Sequence, residues 1–228
     1  MGNVLEILRE VIAPILLIAG AGYLFDRHFK PDIQTLSRLV FYILNPCLIF
    51  SGLVSSALSA NDLNRIALFA LMVFLSATAL AALVARLAHF DLALSSAFVI
   101  INLGTNAGNY GLALNYFAFG EAGLQLALIF FFISGLLMST LGVFIAARGH
   151  KGVKEALRNV MTVPLVYAAA AALLSRATGW AAPGMIFQAT HLAGRAAVPV
   201  MLLVLGMQLA RTRVNESWGP VSLAVFMK

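Results

Sequence analysis

The segment "NLGTNAGNYG", residues 102–111, decides how this sequence folds. It carries three asparagines and three glycines within ten residues, and the apolar segments "LALSSAFVII" and "LALNYFAF" flank it. Relative to alanine, each glycine costs a helix ~1 kcal/mol and each asparagine ~0.6 kcal/mol, which makes the segment roughly 5 kcal/mol worse than alanine. An apolar helix that runs through these residues is therefore expected to break.

The composition indicates a membrane protein with several helical spans. Of its 228 residues, 61% are hydrophobic and 11% are charged, whereas soluble domains carry about 25% charged residues. A soluble fold could not bury so much apolar surface, and apolar spans of ~20 residues are helical rather than barrel strands. The net charge of +6 is better explained by basic residues that anchor cytoplasmic loops than by binding of nucleic acid. The chain has a single cysteine, Cys47, which excludes an internal disulfide.

Hydropathy predicts seven spans and the beginning of an eighth near residue 217. The seven predicted spans are 4–25, 35–57, 65–88, 93–117, 122–147, 160–178 and 186–210. If the N-terminus is outside, the inner connectors hold ten Lys and Arg residues and the outer ones four, which favours this orientation. Glu6 and Glu10 outnumber Arg9, so we expect a retained first span rather than a cleaved signal peptide.

An internal repeat relates the two parts of the chain. Three prolines recur at offsets of 150, 152 and 153 residues: Pro14 and Pro164, Pro31 and Pro183, and Pro46 and Pro199. The repeat holds five predicted spans, an odd number, so the second copy enters the membrane from the opposite side, as in secondary transporters. Two units of ~150 residues predict ~300 residues, so we expect an incomplete second repeat that lacks the rest of span 8 and spans 9 and 10.

The polar residues of the segment allow two interpretations. In an ideal helix the asparagines share one face and the glycines lie on the opposite face, so the segment could be a packed helix with close glycine contacts. Alternatively, span 4 is broken, and its unwound backbone lines a cavity where amide N–H groups suit a carboxylate. No Asp, Glu, Lys or Arg occurs from 92 to 120, so such a site binds through amides and dipoles.

Several motifs resemble the auxin efflux carrier family, whose bacterial members include malonate- and malate-type carriers. They are "NAGNYGLAL…FAFGEAG", "LVFYILNPCLIFSGL" in span 2 and the basic loop after span 5. The resemblance covers essentially the whole chain. It implies an elevator-type carrier with a bile-acid-symporter-like fold, in which ten helices form two inverted five-helix repeats. Spans 4 and 9 would be broken crossover helices that meet near the membrane midplane.

The resemblance also implies a division into scaffold and transport parts. We expect scaffold spans 1 and 2 in residues 1–60, transport-domain spans 3–5 in 61–147, a cytoplasmic loop in 148–159, scaffold spans 6 and 7 in 160–210, and the start of span 8 in 211–228. Together these make an all-α polytopic membrane protein with a broken crossover helix in span 4.

Asn106 corresponds to the asparagine that lies at the substrate carboxylate in the plant carriers of this family. The pattern differs at two positions: Thr105 stands where the plant carriers have proline, and Ala113 stands where many members have proline, so the break must depend on glycine. The expected substrate-binding residues are Asn106, Asn109, Asn102, Thr105, Tyr110, Gly108, Gly111, Asn45 and Pro46. For Tyr110, substrate contact and simple packing stay open. Asn45 and Pro46 either frame the site, opposite Pro199, or kink a scaffold helix.

A second polar group occurs in span 7. Gln188, His191 and Arg195 share one helical face, and Arg195 either extends to the outer interface or attracts anions into a vestibule. Glu121, in the outer turn between spans 4 and 5, is expected to be solvated.

These features favour a secondary transporter of a small organic anion, such as a carboxylate. The alternative is a cation/proton antiporter of the same inverted-repeat fold, which needs titratable carboxylates at the crossover. A channel is a further alternative. We expect no enzyme and no cofactor, because the sequence lacks H-E-x-x-H and a nucleophile–base pair. The expected partners are the organic anion and the lipid bilayer of a bacterial inner membrane. A homodimer through scaffold spans 2 and 7 and a coupling proton or sodium ion stay open.

Overall fold

The described part of the chain consists of helices joined by short turns. The computed structural model describes residues 4–142, 145, 158, 161–180 and 182–212. Four helical segments there are long and apolar enough to cross a membrane: Ile33–Val54, Ala60–Leu87, Leu92–Gly142 and Gly184–Arg211. The expected all-α class with several membrane-capable helices is confirmed. The predicted eighth span near 217 and the loop 148–159, except Arg158, lie outside the described residues.

The first predicted span is helical throughout and extends four residues beyond the expected end at 25. It consists of α1 (Val4–Ile7), the π-helical turn π1 (Leu8–Ile12) and α2 (Ala13–Phe29). Pro14 closely follows π1, whose wider turn accommodates the proline ring within the continuous helix. Lys30 ends the segment in the left-handed conformation, with φ of 49°.

The second predicted span contains a π-helical turn next to a proline. It is formed by α3 (Ile33–Leu39), π2 (Val40–Leu44) and α4 (Asn45–Ser55). The carboxylate of Asp32 caps α3 by accepting the backbone N–H of Gln34 at 3.0 Å. The Asn45 N–H bonds to the carbonyl of Val40, five residues back, just before Pro46. The wider turn accommodates the proline ring, which would clash with the carbonyl four residues before it.

The third predicted span starts earlier than its hydropathy indicates. Helix α5 (Ala60–Leu87) begins at Ala60 instead of 65. Its start is fixed by a capping box, in which Ser59 Oγ accepts the Asp62 N–H at 3.2 Å and the Asp62 carboxylate accepts the Ser59 N–H at 3.0 Å. The polar segment "SANDLN", residues 59–64 between predicted spans 2 and 3, is therefore the cap and first turn of a helix and not only a connector.

Predicted spans 4 and 5 correspond to four helical elements. These are α6 (Leu92–Leu103), π3 (Ala107–Leu112), α7 (Ala113–Leu137) and π4 (Met138–Gly142). Within α7, Gly120 has φ of 64° and ψ of −154°, values outside the helical region. Only glycine adopts such a positive φ easily, and the kink falls inside the predicted connector between spans 4 and 5.

The last three described helices are α8 (Pro164–Thr178), α9 (Gly184–Arg195) and α10 (Ala197–Arg211). Proline occupies the first turn of α8, so this helix starts at 164 rather than at the expected 160. A turn at Ala196 separates α9 from α10, three residues before Pro199. Both repeated prolines, Pro46 and Pro199, thus follow an irregularity in their helix.

The chain divides into two compact units. One contains residues up to 58, 106–131 and 163–212, and the other contains 59–105 and 132–162 among the residues before 213. The first unit thus joins all of the predicted scaffold spans with a stretch of predicted spans 4 and 5. The assignment of scaffold and transport domains stays a prediction. In the second unit α5 packs on α6, around a core that includes Phe74, Ala81, Phe98 and Leu103.

Two helix pairs organise the first unit. Helix α2 packs along α10, and α4 packs against both α8 and α9. A Cβ atom added to Gly22 or Gly206 would collide with backbone atoms of the facing helix, so α2 and α10 touch through their backbones. At Gly194 in α9, a Cβ atom would lie 2.8 Å from Leu48 Cα in α4.

An arginine fixes the end of each pair. Arg211, at the end of α10, forms a bidentate ion pair with buried Asp26 in α2, with Nη2 2.6 Å from Oδ1, and also donates to the Pro31 carbonyl at 2.6 Å. This partner explains why α2 continues through the acidic residue. Arg176, at the end of α8, donates to the carbonyls of Leu53 at 2.9 Å and Ser56 at 3.0 Å, and to that of Leu58.

Candidate functional site

The predicted interruption of span 4 between Asn102 and Gly111 is confirmed. Helix α6 ends at Leu103, and the next helical residue is Ala107. Gly104 has ψ of 78° and Asn106 has ψ of 53°, so the backbone leaves the helical region at both. The glycine and asparagine content therefore breaks the helix over residues 104–106 without a proline.

Local hydrogen bonds hold both edges of the interruption. On the α6 side, the Gly104 N–H bonds to the Ile100 carbonyl at 2.9 Å, and the Thr105 N–H bonds to the Leu103 carbonyl at 2.8 Å. On the other side, the Gly111 N–H reaches the Asn106 carbonyl at 2.9 Å. The first N–H groups of a helical segment have no acceptor within it, so the start of π3 at Ala107 offers donors to a bound group.

The three asparagines of the motif have different environments. Asn102 is buried and donates its Nδ2 to the Phe98 carbonyl at 2.9 Å, which engages this group within its own helix. Asn106 is exposed and makes no side-chain capping bond at the start of π3. Asn109 is half-buried. Asn106 thus has the asparagine side chain best placed to receive an external partner, and Thr105 beside it is also exposed.

The glycines and the tyrosine after the interruption take part in packing within the first unit. A Cβ atom on Gly108 would lie 2.9 Å from the Phe131 ring and 3.6 Å from the Met201 sulfur. On Gly111 it would lie 3.4 Å from the Asn106 carbonyl oxygen. Tyr110 packs on the buried cluster that contains Ile15. Packing contacts thus exist for Tyr110, and its contact with substrate stays a prediction.

Asn45 has an unsatisfied buried acceptor. Its side chain is 5% exposed, and Oδ1 has no hydrogen-bond partner among the residues that the structure describes. A buried acceptor without a donor costs about 1–3 kcal/mol, so such atoms are rare in folded proteins. The neighbouring Pro46 is half-buried.

A cavity of about 290 Å³ lies within the first unit. Its apolar wall includes Leu48, Leu128, Val198 and Leu202, and its polar wall includes Ser51, Tyr116, Glu121, Gln125, His191 and Arg195. None of the residues predicted to bind substrate lines this cavity. The sequence signal for it was the polar face of span 7, of which His191 and Arg195 are members.

The polar groups of the cavity are largely free to bind a ligand. Arg195 and Glu121 are exposed, and neither forms an ion pair or hydrogen bond within the described ranges. Gln125 accepts a hydrogen bond from Ser56 Oγ at 3.4 Å through Oε1, so its amide N–H groups can still donate. The Ser51 hydroxyl donates to the Cys47 carbonyl at 2.8 Å and presents oxygen lone pairs instead.

Comparison with known proteins gives one result. A family model described as "Membrane transport protein" matches residues 7–227. No curated protein and no solved structure matches the chain.

Proposed function

Because the chain belongs to the membrane transport protein family, which confirms the resemblance to auxin efflux carriers, we propose that it is a secondary transporter of a small organic anion. The match to this transporter family covers nearly the whole chain, residues 7–227. The proposal goes beyond family membership in two respects: the substrate is an anion, which we take to be a carboxylate, and transport occurs by an elevator-type movement.

The interruption at residues 104–106 carries this proposal. It places an exposed Asn106 side chain and the unpaired N–H groups at the start of π3 beside a non-helical backbone. These groups are donors, and the positive end of a helical segment favours negative charge. Residues 92–120 contain no charged side chain. This segment therefore supplies neither a cation that would pair with the anion nor a carboxylate that would repel it.

In the proposed binding step, Asn106 Nδ2 donates to one oxygen of the substrate carboxylate. The N–H groups that follow at Ala107 and Gly108 are suited to the second oxygen. Asn109 contributes a second amide from the following turn. Because the donors are neutral, they bind the anion weakly, so that it can be released on the opposite side of the membrane.

The pairing of helices in the first unit supports the inverted-repeat part of the proposal. The proline repeat equates α2 with α8, and α4 with α10. Helix α2 packs on α10, while α8 packs on α4, so each first helix pairs with the second helix of the other repeat. Such reciprocal exchange is expected when a twofold axis relates two inverted repeats.

We further propose that the N-terminus lies outside a bacterial inner membrane. The excess of Lys and Arg on the predicted inner connectors supports this orientation. A homodimer through spans 2 and 7, and coupling to a proton or sodium ion, remain alternatives within the same proposal.

Uptake of labelled carboxylates into proteoliposomes tests the function. We expect Asn106→Ala to weaken carboxylate binding by ~10- to 100-fold, since a hydrogen bond to a charged group contributes about 1.5–3 kcal/mol. Asn64→Ala is the matched control, because Asn64 is an exposed asparagine in α5 that does not belong to the 102–111 segment. Unchanged affinity in correctly inserted Asn106→Ala protein would contradict the proposed site.

A further inference from the structure

A different cavity lies in the second unit, where the chain turns from α5 into α6. It has a volume of about 390 Å³, and its lining comes from the end of α5, the turn, the first half of α6 and Ile145. None of its lining residues belongs to the 102–111 segment or to the cavity of the first unit. It therefore requires its own explanation.

The position of this cavity along α5 places it at the surface of the bilayer. Helix α5 has 28 residues and is apolar enough to cross a membrane, and a helix of this length is about 42 Å long. Because the hydrocarbon layer is ~30 Å thick, both ends of a spanning α5 reach the headgroup region. Arg86, the residue before the end of α5, thus lies at the level of the lipid headgroups.

Backbone hydrogen bonds fix the turn that forms one side of the cavity. His89 has φ of 53°, and its N–H bonds to the Arg86 carbonyl at 3.2 Å. The Phe90 N–H bonds to the Ala85 carbonyl at 3.1 Å, which completes a Schellman motif at the end of α5. The Asp91 carboxylate then caps α6 by accepting a backbone N–H of its first turn at 2.7 Å. The cavity is therefore formed before a ligand binds.

Arg86 gives the cavity a donor for phosphate oxygens. Among the described lining residues it is the only charged one, and it forms no ion pair or hydrogen bond in this part of the chain. Its guanidinium group presents donors in a planar fork that matches phosphate. In the headgroup region, the phosphate diesters of the lipids supply such oxygens, and basic pockets between membrane helices bind them.

Two serines give the same cavity hydrogen-bond acceptors. Ser96 Oγ donates to the Leu92 carbonyl at 2.9 Å. Ser95 Oγ donates to the Phe90 carbonyl at 3.2 Å. Because these bonds engage their hydrogens, both hydroxyls present oxygen lone pairs to a ligand. A headgroup that fills this side of the cavity therefore needs donors of its own, such as those of a primary ammonium group.

The charges of the turn favour a headgroup without net charge. Residues 86–91 contain one arginine and one aspartate and no lysine or glutamate. A headgroup with net negative charge would be attracted by Arg86 but repelled by the Asp91 carboxylate in the same turn. A zwitterionic headgroup avoids this conflict.

The remaining wall of the cavity is apolar and extends toward the middle of the membrane. Ala82, one turn before Arg86, lines it together with Val99 of α6. The Phe90 ring, also in the lining, packs edge-on against Phe98 with 5.4 Å between ring centroids, which holds it in place. A hydrocarbon chain that extends from the headgroup into the bilayer can bury its surface against this wall.

We propose that this cavity is a binding site for a phospholipid whose headgroup joins a phosphate to a primary ammonium group. Arg86 binds the phosphate, Ser95 and Ser96 accept the ammonium hydrogens, and the wall at Ala82 and Val99 holds part of an acyl chain. Phosphatidylethanolamine has this chemistry. The site is additional to the proposed transport site and does not depend on Asn106.

Native mass spectrometry of the detergent-solubilised chain, titrated with single lipids, tests the site. We expect phosphatidylethanolamine to bind ~5-fold or more tightly than phosphatidylcholine, whose methylated ammonium group cannot donate to the serines. Phosphatidylglycerol, which has a net negative charge, should also bind less tightly than phosphatidylethanolamine. Glycerophosphoethanolamine, the soluble headgroup without acyl chains, should not displace the lipid.

Three variants test the three parts of the site. Arg86→Gln should weaken phosphatidylethanolamine binding ~10-fold or more through loss of the charged hydrogen bonds. Ser96→Ala should weaken it ~3-fold and leave phosphatidylcholine binding unchanged. Ala82→Trp places an indole at an exposed position of the apolar wall and should weaken the binding of both lipids.

Each variant has a matched control on α5. Arg65→Gln removes the same charge near the opposite end of the helix. Ser76→Ala removes a hydroxyl that donates to a carbonyl of its own helix, that of Val73 at 3.0 Å, as the Ser96 hydroxyl does. Leu80→Trp adds an indole at an exposed position outside the cavity lining. All three controls should bind phosphatidylethanolamine as the wild-type chain does, and all variants should unfold at the wild-type temperature.

The outcomes distinguish a specific site from the general lipid coat and from the transport site. Equal binding of phosphatidylethanolamine and phosphatidylcholine, or equal losses in Arg86→Gln and Arg65→Gln, would overturn the inference. Displacement by the soluble headgroup would overturn the role of the acyl chain. Lipid binding that survives Asn106→Ala but is lost in Arg86→Gln supports the separate site, and failure of lipid binding would leave the proposed function standing.

Discussion

The α2–α10 pair and the α8–α4 pair are equivalent in the proline repeat, yet their interfaces are built differently. In α2–α10, Gly22 and Gly206 bring the two backbones into direct contact. The residue 150 positions after Gly22 is Ala172, which is completely buried in α8, so this helix carries a methyl group where α2 has none. The difference shows that one helix arrangement can be maintained either by backbone contact or by small side chains.

The arginines at the ends of α10 and α8 also bind different kinds of acceptor. Arg211 joins α10 to α2 through an ion pair with a buried carboxylate, whereas Arg176 joins α8 to α4 through backbone carbonyls at the end of α4. Cations stabilise helix C-termini, where the last carbonyls have no intrahelical donor. The carbonyl contacts therefore give the second pair a restraint that depends on geometry more than on a partner's charge.

Gly206→Leu should have the largest effect of any change to these interfaces. A leucine side chain cannot occupy the space between two touching backbones without moving α2 away from α10. We expect the free energy of unfolding to fall by about 3 kcal/mol, measured by denaturant unfolding in detergent micelles. A loss below ~1 kcal/mol would show that the backbone contact is not essential.

Ala172→Leu tests the equivalent interface and should cost less. The added methylene groups overpack a fully buried position, but an interface of side chains can rearrange more easily than one of backbones. We expect a loss of about 2 kcal/mol in the same measurement. A cost larger than that of Gly206→Leu would reverse the order of the two interfaces.

Arg176→Met should have a smaller effect, localised at the end of α4. It keeps the aliphatic stem and removes the donors to the carbonyls of Leu53, Ser56 and Leu58. We expect ~1 kcal/mol of destabilisation, because solvent replaces part of the lost bonding, and faster amide hydrogen exchange near Ser55. Arg65→Met serves as the control, and equal exchange in both variants would exclude the capping role.

Gly20→Ala should stabilise the chain slightly. A Cβ atom added to Gly20 would have no neighbouring heavy atom within 4 Å, in contrast to Gly22 on the same helix. Alanine is the better helix former by about 1 kcal/mol, so we expect a gain of up to that amount. Destabilisation instead would indicate a close neighbour at this position.

Sequence reasoning located the elements that depend on local chemistry. The density of glycine and asparagine predicted the interruption, because each of these residues lowers helix stability wherever it stands. The predicted end of span 4 at residue 117 was also close to the observed kink, since the connector between predicted spans 4 and 5 contains Gly120 with its positive φ. The start of α5 was misplaced by five residues because polar Ser59 and Asp62 look like loop residues until they are recognised as a capping box.

The features that sequence reasoning missed depend on residues far apart in the chain. Arg176 falls near the end of predicted span 6, and nothing local indicates that it binds carbonyls about 120 positions earlier. Asp26 lies just beyond the predicted end of span 1 at residue 25, because its stabilising partner, Arg211, is 185 residues away and hydropathy does not detect it. The cavity was missed for the same reason: its lining converges from four parts of the chain, and only the face of His191 and Arg195 could be recognised in advance.

The interruption of span 4 also has a consequence for membrane insertion. Helix α6 has 12 residues and is therefore about 18 Å long, well short of the ~30 Å hydrocarbon layer. A half-length helix with unpaired backbone groups at its end is costly in lipid by itself, so this segment cannot be released from the translocation machinery as an independent unit. We expect it to leave that machinery only together with a neighbouring span that covers its polar end.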